Sequence, residues 1–213
     1  MMLLFGLALA ADVDNGERLG RVVLQCQGCH GDDLGGNVMI DAFPMGRVVA
    51  GNLTISRTPE EWDAAIRGGL VGDDAIVLMP PQSAALSDAD LADLVAWLEA
   101  LPDVERELPK TKLGPVGKML VSSGGWDSGP YPARSDGDLL TLACKSCHGD
   151  DLKGRDMGPE GFAADLTALS WSGEEFAAAV REGKRPDGTA LGEGMPRFAL
   201  SDEELSQIQA ALR

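Results

Sequence analysis

Cys26-Gln27-Gly28-Cys29-His30-Gly31-Asp32-Asp33-Leu34 returns 118 residues later as Cys144-Lys145-Ser146-Cys147-His148-Gly149-Asp150-Asp151-Leu152. All four cysteines and both histidines of the 213-residue chain lie inside these two stretches. Working outward, further matches keep the same order. Asn52-Leu53-Thr54 pairs with Asp165-Leu166-Thr167, and Glu60 to Arg67 with Glu174 to Arg181. Met79-Pro80 pairs with Met195-Pro196, and Leu86-Ser87-Asp88 with Leu200-Ser201-Asp202. The offsets stay between 113 and 118, so only small loop insertions separate two copies of one unit.

Each copy reads as three helices. The first, over 15–26 and 136–145, carries Leu19, Val22 and Val23 at helical spacing and runs into the cysteine motif. The second opens on Thr58-Pro59-Glu60-Glu61, where Thr58 caps, Pro59 suits the first helical position and Glu61 completes a capping box. Ser172-Gly173-Glu174-Glu175 offers the same box in the second copy. The third starts at Ser87 or Ser201, with Leu91, Leu94, Val95, Leu98 and Leu101 forming an apolar stripe. Gly- and Asp-rich stretches between helices show no strand alternation. The expected fold is all-α: two tandem modules of about three helices each, with long loops. Residues 1–10 read as a leader, 11–103 as the first module, 104–134 as a Pro- and Gly-rich linker and 135–213 as the second module. Leu113 to Val121 is expected to form a short packed helix inside that linker.

Composition narrows the function. The net charge of −16 opposes sequence-independent nucleic-acid binding, which neutralises phosphates with Lys and Arg, and opposes adhesion to anionic membranes. Two histidines, both spoken for, leave none for a zincin or a Ser-His-Asp triad. The leader, Leu3 to Ala10, ends in Ala8-Leu9-Ala10, an A-x-A-like cleavage site, though no Lys or Arg precedes it. It is too short to span a bilayer, so the mature chain is expected to carry no membrane span.

Cys-x-x-Cys-His has a physical logic. A module of this size with so much loop has a thin core, and a large apolar group fills it. Two cysteines three residues apart can each bond a haem vinyl group, while the adjacent His addresses the iron. A zinc site pooling both pairs would leave the adjoining histidines without purpose, and a redox dithiol would need a βαβ setting. Two covalently bound haem c groups are therefore expected, held by Cys26, Cys29 and His30 and by Cys144, Cys147 and His148.

For the iron's far side no His or Cys is spare, and residues 1–101 contain no Lys. Of eight methionines only Met79 and Met195 stand in equivalent places, 49 and 47 residues after their histidines, each before a proline. A thioether favours ferrous iron and raises the potential. Met79 and Met195 are the expected sixth ligands, with Met45 in reserve for the first iron. Met39, Met45, Met119 and Met157 suit the plainer reading as core filler. Trp62 and Phe176 read as core at the haem edge. Asn52, Thr54 and Thr167 read either as hydrogen-bond donors to haem propionates or as turn residues. Asp32-Asp33 and Asp150-Asp151 read as solvated loop acids.

These motifs resemble the class I cytochrome c family, and in their duplication the tandem two-haem cytochromes c of bacteria. The first copy, with Gly51-Asn52-Leu53-Thr54 and Ile66-Arg67-Gly68-Gly69, is similar to modules in cytochrome subunits of periplasmic dehydrogenases. The resemblance implies haem c, a periplasmic location and electron relay, as a carrier or as the electron-transfer subunit of a dehydrogenase or oxidase chain. The expectation is thus an electron-transfer protein and not an enzyme, and its net charge of −16 predicts a redox partner that presents a basic docking face. The alternative is a two-haem redox enzyme, a peroxidase or sulfur-compound oxidoreductase, with one open haem site.

Overall fold

The structure, a computed structural model, describes residues 11–68, 81–126, 137–157 and 161–213. The leader over 1–10 and the Met79-Pro80 dipeptide lie outside the described residues.

In the first repeat α1 (Val13–Arg18) is capped by Asp12, whose side chain accepts from the Asn15 amide, and then widens into a π-helical turn over Leu19–Val23. The motif follows on α2 (Gln27–His30). Helix α3 (Pro59–Ile66) opens on the capping box read from Thr58 and Glu61, and α4 (Asp88–Glu99) on Ser87. Helix α1 crosses α4 at the closest range the backbone allows. A Cβ at Gly16 would lie 2.0 Å from the Asp93 carbonyl, and one at Gly20 would strike the Trp97 ring at 2.2 Å. Overpacking of that kind is what glycine avoids at a helix crossing.

The second repeat follows the same plan. A π-helical turn over Thr141–Lys145 leads into α6 (Ser146–His148), followed by α7 (Gly173–Glu182) and α8 (Asp202–Ala211). Helices α7 and α8 both start on complete capping boxes, at Ser172 with Glu175 and at Ser201 with Glu204.

Among the described residues helices outweigh strands, but the fold is not purely helical. Strands β1 (Asn37–Ala42), β2 (Gly46–Ala50) and β3 (Lys112–Leu113) form an antiparallel sheet, and β4 (Arg155–Asp156) pairs with β5 (Phe162–Ala163). The sequence hid the hairpin because its burial does not alternate. A register shift between Val38 and Ile40 breaks the period, and five of the six β1 residues are exposed. Met39 and Met119, expected in the core, stand 45% and 57% exposed.

Residues 104–122 are built against the first repeat. Val104 donates to Thr54 Oγ1 at 2.9 Å, and Arg106 grips Asp33 at 2.6 Å and the Gly36 carbonyl at 2.7 Å. Strand β3 pairs with β2, and α5 (Pro115–Ser122) is the short helix expected there.

One continuous core joins the repeats, running from Leu19, Val23 and Leu86 to Leu142, Phe198 and Leu205. A 3₁₀ turn over Pro81–Ala85 packs on the π-helical turn at Thr141–Lys145. Arg18 pairs with Glu204 across the same seam. Among the described residues no helix is long and apolar enough to cross a membrane.

Candidate functional site

The helix carrying each motif stops at its histidine because the next residue, Gly31 or Gly149, turns to φ +82° or +83°, a left-handed conformation that glycine reaches without cost. The turn that follows repeats bond for bond. Leu34 N donates to Gly31 O at 2.9 Å and Leu152 N to Gly149 O at 3.0 Å. Gly36 N donates to His30 O and Gly154 N to His148 O, both at 2.8 Å. Leu34 and Leu152 take φ values of +58° and +60°, which a branched side chain adopts only when its surroundings impose it. Both are buried, Leu34 completely.

That turn delivers the imidazole to a fixed acceptor. His30 Nδ1 lies 2.7 Å from the Gly51 carbonyl and His148 Nδ1 lies 2.8 Å from the Ala164 carbonyl. Each Nδ1–H is thereby committed as donor, and Nε2 is left with its lone pair for a metal. Burial lowers the pKa of His30, the Arg57 cation adds to this, and the Gly51 carbonyl opposes it. The shift favours the neutral, ligating form of His30. Sequence reading missed Gly51 and Ala164, although each immediately precedes a matched triplet, Asn52-Leu53-Thr54 or Asp165-Leu166-Thr167.

Those triplets are turn residues. Asn52 Oδ1 accepts from Thr54 N and Thr54 Oγ1, both at 2.8 Å, and Asp165 Oδ1 accepts from the same groups of Thr167 at 2.8 and 2.6 Å. The buried Asn52 amide also donates to Val104 O at 2.8 Å. Thr54 and Thr167 therefore spend their hydroxyls within the chain, and the turn reading wins over propionate contact. Asp33 and Asp151 likewise close turns, onto the amides of Gly35 and Lys153.

None of the four cysteines is joined to another in a disulfide. Burial pushes Cys26 and Cys144 up to about 12, with Cys29 and Cys147 adding to the effect, and burial raises Cys29 as well. A dithiol that works by exchange has its thiol pKa lowered, the opposite of the direction at Cys26, Cys29 and Cys144. Among the described residues no three His, Cys, Asp or Glu side chains converge on one point, which leaves a pooled zinc site without a donor set.

In the second repeat Cys144, Cys147, His148, Phe176 and Met195 line one largely apolar cavity. Gln82 borders it from the first repeat, and its Oε1 is buried without a hydrogen-bond partner. Met195 thus faces the space next to His148, while Met79 lies outside the described residues. Met45 sits in the turn between β1 and β2, where its carbonyl accepts from Gly114 N at 2.8 Å. Trp62 is buried with its Nε1–H donated to Glu99 at 2.6 Å, and Phe176 is buried with no polar handle. Two cysteines, an imidazole whose Nδ1–H is already committed to a carbonyl and an apolar cavity lined by a thioether together form a donor set that fits an iron macrocycle joined through two thioether bonds.

Compared with known families, the chain matches the family described as cytochrome C oxidase, cbb3-type, subunit III, over residues 11–98 and again over residues 137–210. No curated protein matches it. Cytochrome c domains carry covalently bound haem c, and the Cys-x-x-Cys-His motifs are present in both matched segments. The chain belongs to this family of c-type cytochrome domains, and its function is haem-based electron transfer.

Proposed function

We propose that each repeat is a complete cytochrome c module with its own haem c. Residues 11–103 form the first and 135–213 the second, with 104–134 between them and 1–10 a leader directing export to the periplasm. Cys26 and Cys29, and Cys144 and Cys147, supply the thioether bonds. His30 and His148 are the proximal ligands, and Met79 and Met195 the distal ones. Haem c, when bound, supplies a one-electron ferric/ferrous couple. The chain's own residues do the rest. The Gly51 and Ala164 carbonyls hold each imidazole by its Nδ1–H, which fixes ring orientation and raises ligand basicity. Burial of the apolar shell keeps water from the site, and a thioether ligand raises the potential.

The observation that carries this reading is the equivalence of the two histidine–carbonyl contacts, which points to the same proximal chemistry twice. The protein serves as a carrier or electron-transfer subunit in a dehydrogenase or oxidase chain. With a net charge of −16 it meets a redox partner through that partner's basic face, so the association rate falls as salt rises.

Mass spectrometry of the mature chain, made in a host with haem-attachment machinery, is the direct test. Two haem adducts are expected, and one remains after Cys144 and Cys147 are both replaced by Ser. A single adduct in the native chain overturns the two-haem reading. Met195→Ala is expected to remove roughly half of the far-red sulfur-to-iron absorption and to lower one midpoint potential. An unchanged spectrum refutes Met195 as ligand.

A further inference from the structure

The chain just before the first motif behaves unlike its counterpart before the second. Ahead of Cys144 the π-helical turn runs unbroken through Ala143 and Cys144 into α6. Ahead of Cys26 the helix is interrupted, with Gln25 at φ +51°, a conformation disfavoured for any residue bearing a Cβ. Presenting a Cys-x-x-Cys-His segment does not require this break, since the second repeat does without it. The strain at Gln25 therefore serves something else.

What it accomplishes is visible across the seam. The break carries the Gln25 side chain out of the first repeat, and its Nε2 donates to the Arg197 carbonyl at 3.0 Å. Arg197 lies two residues after Met195. Its own guanidinium folds back onto the Met195 carbonyl, and the neighbouring Phe198 amide donates to Val180 O at 3.0 Å. Val23, Leu24 and Gln25 also form part of the wall of the cavity that holds Cys144, His148 and Met195.

From this juxtaposition we propose that Gln25 is a positioning residue for Met195: the segment that leads into the first haem-attachment motif latches the ligand loop of the second. The ligand loop over 191–200 is tethered to α7 through Phe198 and to the first repeat through Gln25, and an opening of the loop must release both. The second iron's thioether is thus held partly by the first module. This rests on the assignment of Met195 as a ligand, and the experiment below tells a failure of the latch from a failure of that assignment.

The experiment uses the full-length holoprotein. Gln25→Met keeps the length and removes the donor, and Gln25→Gly removes the side chain and relieves the backbone. Two readouts are taken: amide hydrogen exchange at Met195 and Phe198, and titration of the oxidised protein with imidazole, with Met195→Ala marking the spectrum of an open second iron. Both variants are expected to speed exchange at these amides and to tighten imidazole binding at the second iron by about two- to fivefold, the factor governed by one net hydrogen bond. Native exchange and native imidazole affinity in Gln25→Met overturn the latch, whether or not Gln25→Gly changes them. If Met195→Ala opens no iron, the ligand assignment falls and takes the proposal with it, even where exchange at Phe198 responds.

Discussion

In the first repeat the aromatic at the centre of the core is Trp62, and in the second the same place holds Phe176. The Trp62 indole reaches the Glu99 carboxylate, which also accepts from Ser56 Oγ and Arg57 N, while the Arg57 guanidinium lies 4.6 Å from the ring centre. Phe176 has only packing. The first histidine loop is braced by Arg106 and by a three-stranded sheet, whereas the second has the two-residue strands β4 and β5. The main-chain hydrogen bonds of the motif turn and the histidine–carbonyl contact nonetheless match in length within about 0.1 Å. The difference teaches that the motif turn specifies the histidine geometry by itself, while the surroundings set how firmly it is held.

Truncating the central aromatics should separate the repeats most strongly. Trp62→Ala and Phe176→Ala are each expected to cost about 3–5 kcal/mol in denaturant unfolding, with Trp62 the more costly because Glu99 loses a partner too. Next come the strained leucines. Leu34→Ala and Leu152→Ala should cost about 2–5 kcal/mol, with the completely buried Leu34 at the upper end. Equal losses would show that the strain, which the two share, outweighs their difference in burial. Trp62→Phe makes the first repeat like the second and is expected to cost about 1 kcal/mol, read as a lower unfolding midpoint.

The smallest effect is on pH. The Ser56 hydroxyl, the Trp62 indole N–H and the Arg57 amide hold the Glu99 carboxyl below the usual carboxylate range. Its contribution to stability is complete above the unfolded-state pKa and is lost as the pH falls through the lower folded value. Glu99→Gln should therefore flatten the acid limb of the stability profile. Acid unfolding identical to that of the native chain would show that Trp62 is held by packing alone.

Much of this was legible in the residues. The capping boxes at Thr58 and Ser172 and the helix starts at Ser87 and Ser201 appear where the sequence places them, because a cap is a local signal satisfied within four residues. The duplicated motif likewise pointed to duplicated geometry. The hairpin β1–β2 was not legible, since an exposed, bulged ladder has neither apolar alternation nor a buried face. Nor were Gly51 and Ala164, whose contribution is a main-chain carbonyl and leaves no mark on residue type. Residues 104–122 read as linker from their prolines and glycines, yet Asn52, Thr54 and Asp33 bind them through contacts about 50 to 70 residues apart, a range no local pattern reports.

The flush seating of α1 against α4 has a bearing on where this polypeptide tolerates trimming. Asp12 N and the Asn15 side chain both bond Asp93, and the Arg21 guanidinium sits 5.3 Å from the Trp97 ring centre, so the opening residues act as a clasp on the repeat's last helix. Clipping the polypeptide ahead of Leu19 would remove both bonds to Asp93 and the close Gly16 approach, uncovering that side of α4, whereas an ordinary frayed terminus can be removed at little expense.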